Sequence, residues 1–122
     1  MVNDKIFYGD FMSIKLVVSD IDGTLVNSEK ELLPQTKNAI DRFIEKGGIF
    51  AIASGRPNKG IERYINELDL CNRGGYIISY NGSRITDLST GKVVYQKNIE
   101  VEQVEEIIDI ADSLGVPLTT YK

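Results

Sequence analysis

The sequence predicts an α/β fold: a Rossmann-like layer of parallel strands covered by helices, followed by the opening of an α+β module. Three observations carry this reading. Short β-branched runs end in Asp or Ser beside Gly, amphipathic stripes at helical spacing separate those runs, and the pattern changes to that of a hairpin after Asn81-Gly82. With 122 residues, 42% of them apolar and 26% charged, the chain has the material for one core and not for two complete domains.

Met1 to Phe11 shows no period and is read as an N-terminal extension outside the fold. Ile14 to Ser19 is β-branched and bounded by Asp20 and Gly23, which predicts a first strand ending in a turn. Pro34 suits a first helical turn, Ala39, Ile40, Phe43 and Ile44 share a face, and Gly47-Gly48 is a stop signal. Ile49 to Ala53 is apolar at every position, which predicts a parallel strand covered on both faces. After Ser54-Gly55-Arg56-Pro57, the spacing of Ile61, Tyr64, Ile65 and Leu68 predicts a second helix, and Tyr76 to Ser79 a third strand. Right-handed crossovers then place helices on both faces of the sheet and gather ligands at the strand C-termini.

Beyond Gly82, Arg84–Thr86 and Val93–Lys97 flank Leu88-Ser89-Thr90-Gly91, the pattern of an antiparallel hairpin. Val101, Val104, Ile108, Ala111 and Leu114 form a further helical stripe stopped by Gly115 and Pro117, and Leu118 to Tyr121 reads as a strand beginning. The expected organisation is an extension over 1–11, a core over 12–82 and the start of a second module over 83–122.

Composition removes several function classes. A net charge of −4 has the wrong sign for binding a phosphate backbone, so nucleic acid is not an expected partner. With no His and one Cys, neither an imidazole-based triad nor a His/Cys zinc site can be assembled. No apolar run has the length of a membrane span and no signal peptide is evident, so no membrane is expected as partner and the expected location is cytoplasmic.

Asp20-Ile21-Asp22-Gly23-Thr24 sets two carboxylates two residues apart past the end of a buried strand. If the backbone stays extended, both face one way, their repulsion raises one pKa, and a divalent cation between them is favoured. Asp20 suits a nucleophile toward phosphorus and Asp22 a general acid/base, with both as metal ligands. The same stretch also reads as an Asp-Gly turn closing a strand. Ser54 follows the second strand as Asp20 follows the first, so its hydroxyl and the amides around Gly55 are placed to hold phosphoryl oxygens, or form a plain turn. Arg56 suits an anionic group or solvent, and Asn81 closes a third strand end at the same mouth. Gly55 to Gly60 lacks the Lys-Ser/Thr of a P-loop, and Cys71 has no His to activate it.

Together, these residues resemble the haloacid dehalogenase superfamily, and within it the Cof-type sugar-phosphatase branch. Asp20-Ile21-Asp22-Gly23-Thr24-Leu25 matches its first motif, Ala53-Ser54-Gly55-Arg56-Pro57 its second, and Tyr80-Asn81-Gly82-Ser83 the segment leading into its cap. The resemblance implies Asp20 as phosphoryl acceptor, Asp22 as general acid/base lending its backbone carbonyl to Mg²⁺, and Ser54 as phosphoryl ligand. Thr24, Gly55, Arg56 and Asn81 are then substrate-binding, and the substrate is a small phosphorylated metabolite.

The resemblance also implies a later Lys and acidic motif, and neither Lys59 nor Lys122 stands in that position. By that comparison the chain holds half a core and the opening of a cap, and weak or no activity is expected, since one lost cationic group costs on the order of 10³ in rate. The alternative is a non-catalytic module that self-associates through its exposed sheet edge. A receiver domain would place its acceptor Asp where Ser54 stands and would not give way to a hairpin at Arg84.

Overall fold

The computed structural model describes residues 14–120. The expected extension over 1–11 lies outside the described residues. Strands β1 (Leu16–Asp20), β2 (Ile49–Ala53), β3 (Tyr76–Ser79), β4 (Arg84–Asp87) and β5 (Val93–Gln96) form one sheet in that order. β1, β2 and β3 run parallel, with Asp20 opposite Ala53 and Ala53 opposite Ile78. The carboxyl ends of three strands therefore form one row, as the β-α-β-α-β reading requires. β4 and β5 continue the sheet antiparallel, with a bulge between Ile85 and Thr86. The hairpin loop is tied by Asp87, whose carboxylate accepts from the Ser89 amide at 2.8 Å and the Ser89 hydroxyl at 2.6 Å.

Helix α1 (Pro34–Glu45) begins on its proline and ends in a Schellman motif. The Gly48 amide reaches the Phe43 carbonyl at 3.0 Å and the Gly47 amide the Ile44 carbonyl at 2.8 Å, with Gly47 at φ +85°. Ile40 and Ile44 pack with the core and the Phe43 ring lies over Gly48, whereas Ala39, expected on the same face, is exposed. The second helical stripe is interrupted: α2 (Glu62–Glu67) and α3 (Leu70–Arg73) are separated by Asp69 at φ +53°. Ile61, Tyr64, Ile65 and Leu68 are nonetheless all buried, so the apolar spacing, more than helical continuity, decides what is covered. Asp41 of α1 pairs with Arg73 of α3 and with Lys37 at 2.9 Å, tying the helices together.

One correction concerns the layering. Phe50, Ile52 and Ile77 share a sheet face and join Ile40, Ile61, Tyr64, Leu68 and Leu70 in the core. On the opposite face Leu16, Val18 and Ile49 are 52%, 48% and 42% exposed, so among the described residues the helices cover one side only. Strands stepping in one direction with crossovers of one hand place every connecting helix on the same side. On that face of β2, Ile49 is exposed and Ala51 is buried.

Helix α4 (Val101–Leu114) forms where the stripe predicts it, but Ala111 is its one buried residue, and Val101, Val104, Ile108 and Leu114 meet water. Local interactions hold it: a reciprocal capping box joins Glu100 and Gln103, and Gly115 closes it at φ +65°. The strand expected from Leu118 does not form over residues 118–120, which have no neighbouring strand, and Tyr121 lies outside the described residues.

Candidate active site

The chain turns immediately after β1. Ile21 is fully buried, and its carbonyl accepts from the amides of Leu25 and Val26, each at 3.1 Å, while the Asp20 carbonyl also accepts from Leu25 at 3.1 Å. Buried Leu25 and Val26 hold the turn down, leaving Asp20 at the strand end and Asp22 raised on the loop. Asp20 and Asp22 are both exposed on either side of buried Ile21, and Asp22 forms an isolated parallel bridge with Val26 across the turn.

The other two strand ends are zipped to each other. The Ser54 amide donates to the Ile78 carbonyl at 2.8 Å, the Asn81 amide to the Ser54 carbonyl at 3.3 Å, and the Tyr80 amide to the Arg56 carbonyl at 3.2 Å. The Ser54 hydroxyl oxygen accepts the Arg56 amide at 3.2 Å. To make these contacts, Tyr80 and Asn81 adopt φ of +51° and +55°, a left-handed pair that costs side-chain-bearing residues free energy and recurs at functional loops. Gly55 permits the approach, since a β-carbon there would lie 2.8 Å from Asn81 Oδ1.

A depression of about 340 Å³ lies over this row of strand ends, lined by Asp20, Ser54, Gly55, Asn81 and Gly82 with Ala53 and Ile78 at its floor. The structure therefore brings together Asp20, Ser54, Gly55 and Asn81 from three separate segments. Thr24 is exposed and does not line it. Nor do Asp22 and Arg56, which face each other: Arg56 Nη2 donates to Asp22 Oδ1 at 2.7 Å and Oδ2 at 2.8 Å. Lys30, not singled out from the sequence, donates to the same Oδ1 at 2.6 Å. Its only sequence signal was a lone cation eight residues after Asp22.

These cations reverse the expected electrostatics. The hydrogen bond from Lys30 lowers the Asp22 pKa most; desolvation opposes it next, and the hydrogen bonds and charge of Arg56, with the charge of Lys30, complete a net lowering. Repulsion within the acidic pair does not decide the Asp22 charge, because two cations lie within hydrogen-bonding distance of it.

Among the described residues the depression offers one carboxylate, one hydroxyl, one carboxamide and loop amides, and no cationic side chain lines it. Among the described residues no group of three His, Cys, Asp or Glu side chains is disposed around a metal, and the Asp22 side chain, expected as a ligand, is engaged by Lys30 and Arg56. A single carboxylate with hard oxygen donors nearby still fits a cation that keeps much of its water, as Mg²⁺ does. No helix of the described residues is long and apolar enough to cross a membrane.

A carboxylate at a strand end facing a hydroxyl and loop amides across parallel strands defines an α/β protein with a polar depression at its carboxyl edge. Comparison with known proteins narrows the class. Residues 17–122 match the family model of haloacid dehalogenase-like hydrolases, and the chain belongs to that family. It is 31% identical over 104 residues to the "Putative phosphatase YxeH" of Bacillus subtilis, covering 85% of this chain and 38% of that protein. It is 28% identical to 5-amino-6-(5-phospho-D-ribitylamino)uracil phosphatase YitU of the same organism, covering 83% of this chain and 37% of that protein. Among solved structures, a haloacid dehalogenase-like hydrolase from Bacteroides thetaiotaomicron superposes with a TM-score of 0.73 at 37% identity, covering 82% of this chain and 38% of the other. The chain spans less than two fifths of the length of each.

Proposed function

We propose that this chain carries the phosphoryl-accepting half of a Mg²⁺-dependent phosphatase acting on small phosphorylated metabolites through an aspartyl phosphate on Asp20. The observation that carries the reading is the convergence of Asp20, Ser54, Gly55 and Asn81 on one depression at the carboxyl edge of the parallel strands. A relative that dephosphorylates a phosphorylated ribitylaminouracil supports the substrate class.

In the first step a carboxylate oxygen of Asp20 attacks phosphorus. The bond from phosphorus to the ester oxygen breaks, and its electron pair stays on the leaving oxygen, which takes a proton from Asp22. In the second step water attacks the aspartyl phosphate and gives its proton to Asp22, and the phosphorus–Asp20 bond breaks to regenerate the carboxylate and release inorganic phosphate. The Ser54 hydroxyl, the Asn81 carboxamide and the loop amides orient the phosphoryl oxygens. The Asp20 carboxylate and the Asp22 backbone carbonyl would hold Mg²⁺, which would supply neutralising charge to the phosphoryl oxygens. In the pairing seen here Asp22 is a carboxylate, the form needed in the second step, and Oδ2, which Lys30 does not engage, is the oxygen that would carry the proton in the first.

Because no lysine or arginine of the described residues lines the depression, turnover is expected to be slow. The test is hydrolysis of an aryl phosphate with Mg²⁺ or with chelator, by this chain and by Asp20→Asn. Slow, chelator-sensitive turnover lost in Asp20→Asn supports the reading, and turnover surviving Asp20→Asn rejects the nucleophile. We retain 83–122 as the start of a second module, noting that β4 and β5 hydrogen-bond into the core sheet while α4 does not. Among the described residues, the unpaired edge of β1 and the exposed Leu16, Val18 and Ile49 favour a second reading, a self-associating module, which a monomeric mass in solution would exclude.

A further inference from the structure

We propose that Lys30 and Arg56 are positioning residues that fix the orientation of the Asp22 carboxylate, and that Arg56 is not a ligand of the phosphoryl group. The inference rests on the reading of Asp22 as the proton-transfer group. Oδ1 of Asp22 accepts from both cations, Lys30 at 2.6 Å and Arg56 at 2.7 Å, whereas Oδ2 accepts from Arg56 alone at 2.8 Å. Oδ1 is thereby saturated with charged donors, and Oδ2 is the oxygen left able to exchange a proton with substrate or water.

Both cations are themselves anchored. Lys30 sits at φ +63° in a turn closed by the hydrogen bond from the Lys30 amide to the Asn27 carbonyl and from the Glu31 amide to Asn27 Oδ1, at 3.1 and 2.8 Å. Its carbonyl accepts the hydroxyl of Tyr64, a core residue, at 3.3 Å. The stem of Arg56 lies against Gly60, its Nη1 donates to the Gly60 carbonyl at 3.4 Å, and its amide is tied to Ser54. The clamp thus joins the loop after β1 to the loop after β2, the two loops that supply Asp20 and Ser54. Exposed ion pairs contribute little to stability. A clamp of this kind matters through geometry, because a proton-transfer group must be held within hydrogen-bond reach of its target.

The test uses the full chain with an aryl phosphate and Mg²⁺. Arg56→Gln and Lys30→Met are each expected to lower kcat roughly tenfold with KM within about twofold, and Lys30→Arg to recover most of the loss. An unchanged kcat, or a KM raised about tenfold in Arg56→Gln with kcat retained, overturns the proposal, the second outcome marking Arg56 as an anion ligand. A readout independent of turnover is the NMR signal of the Arg56 guanidinium. Restricted rotation is expected to resolve its Nη groups, to persist when inorganic phosphate and Mg²⁺ are added, and to be lost in Asp22→Asn. Transfer of that signal to phosphate, or indifference to Asp22→Asn, overturns the proposal even where turnover is too slow to measure. Asp20→Asn, which tests the nucleophile, is expected to leave the guanidinium signal unchanged, so the two readings fail separately.

Discussion

Two glycines meet a neighbour at the same distance with opposite consequences. A β-carbon on Gly55 would lie 2.8 Å from Asn81 Oδ1, and one on Gly75 would lie 2.8 Å from the Phe50 carbonyl oxygen. The Asn81 carboxamide is the free end of a side chain and can rotate away. The Phe50 carbonyl belongs to a central strand and cannot move without disturbing the sheet. Overpacking of a rigid site costs about 1–3 kcal/mol, whereas replacing Gly by Ala in an unstrained conformation returns about 0.4–1 kcal/mol through the unfolded chain. Gly75→Ala is therefore expected to lose about 1.3 kcal/mol net, or roughly 5–10 °C in Tm at about 4–8 °C per kcal/mol. Gly55→Ala is expected to stay within about 1 kcal/mol of the parent while displacing Asn81 from the depression and weakening inorganic phosphate binding about tenfold or more. Thermal unfolding and phosphate titration of both variants, with Mg²⁺ present, separate the effects. Equal destabilisation by the two substitutions, or unimpaired phosphate binding by Gly55→Ala, would refute the reasoning.

Three further expectations concern stability. Leu68, fully buried beneath the sheet, should cost about 2–5 kcal/mol when cut to Ala, while Ile108 on the open face of α4 should cost about 0.5 kcal/mol or less, which urea unfolding distinguishes. Asp41 is held below its ordinary carboxyl pKa by hydrogen bonds from Lys37 and then Arg73, so its stabilising contribution is full above about pH 3.8 and is lost as pH falls through the lowered folded-state value. Asp41→Asn should accordingly destabilise the protein at neutral pH and converge with the parent in strong acid, as followed by urea midpoints across pH. Asp22→Asn should remove the hydrogen-bonded link between the two site loops and accelerate amide hydrogen exchange at Arg56 without a comparable change in the core around Ile52.

Much of the fold was legible because its signals are local. β2 and β3 occupy the predicted residues, β1 is displaced by one or two positions, and the hairpin appears where Gly91 and the polar loop announce it. Apolar spacing also identified Ile61, Tyr64, Ile65 and Leu68 as core, even though Asp69 breaks the helix that spacing implied. The uncovered face was not legible, since an apolar strand reports a dry or apolar environment and not which side its helices take. Convergence of Asp20, Ser54 and Asn81 followed from the strand-end rule, which is a property of topology. The Asp22–Arg56 pairing joins residues 34 positions apart and sets two donors against one carboxylate. Neither composition nor spacing encodes such a contact, so repulsion within the acidic pair was weighed without the two cations that lower the Asp22 pKa.

The central claim is that the carboxyl edge of β1, β2 and β3 is a phosphoryl site. Amide chemical shifts of the whole chain, followed during titration with inorganic phosphate in the presence of Mg²⁺, test it most directly. The account predicts perturbations concentrated at Asp20, Ser54, Gly55 and Asn81 and strongly reduced in Ser54→Ala. Perturbations centred on α4 or the β4–β5 hairpin, or a site response indifferent to Ser54→Ala, would contradict it.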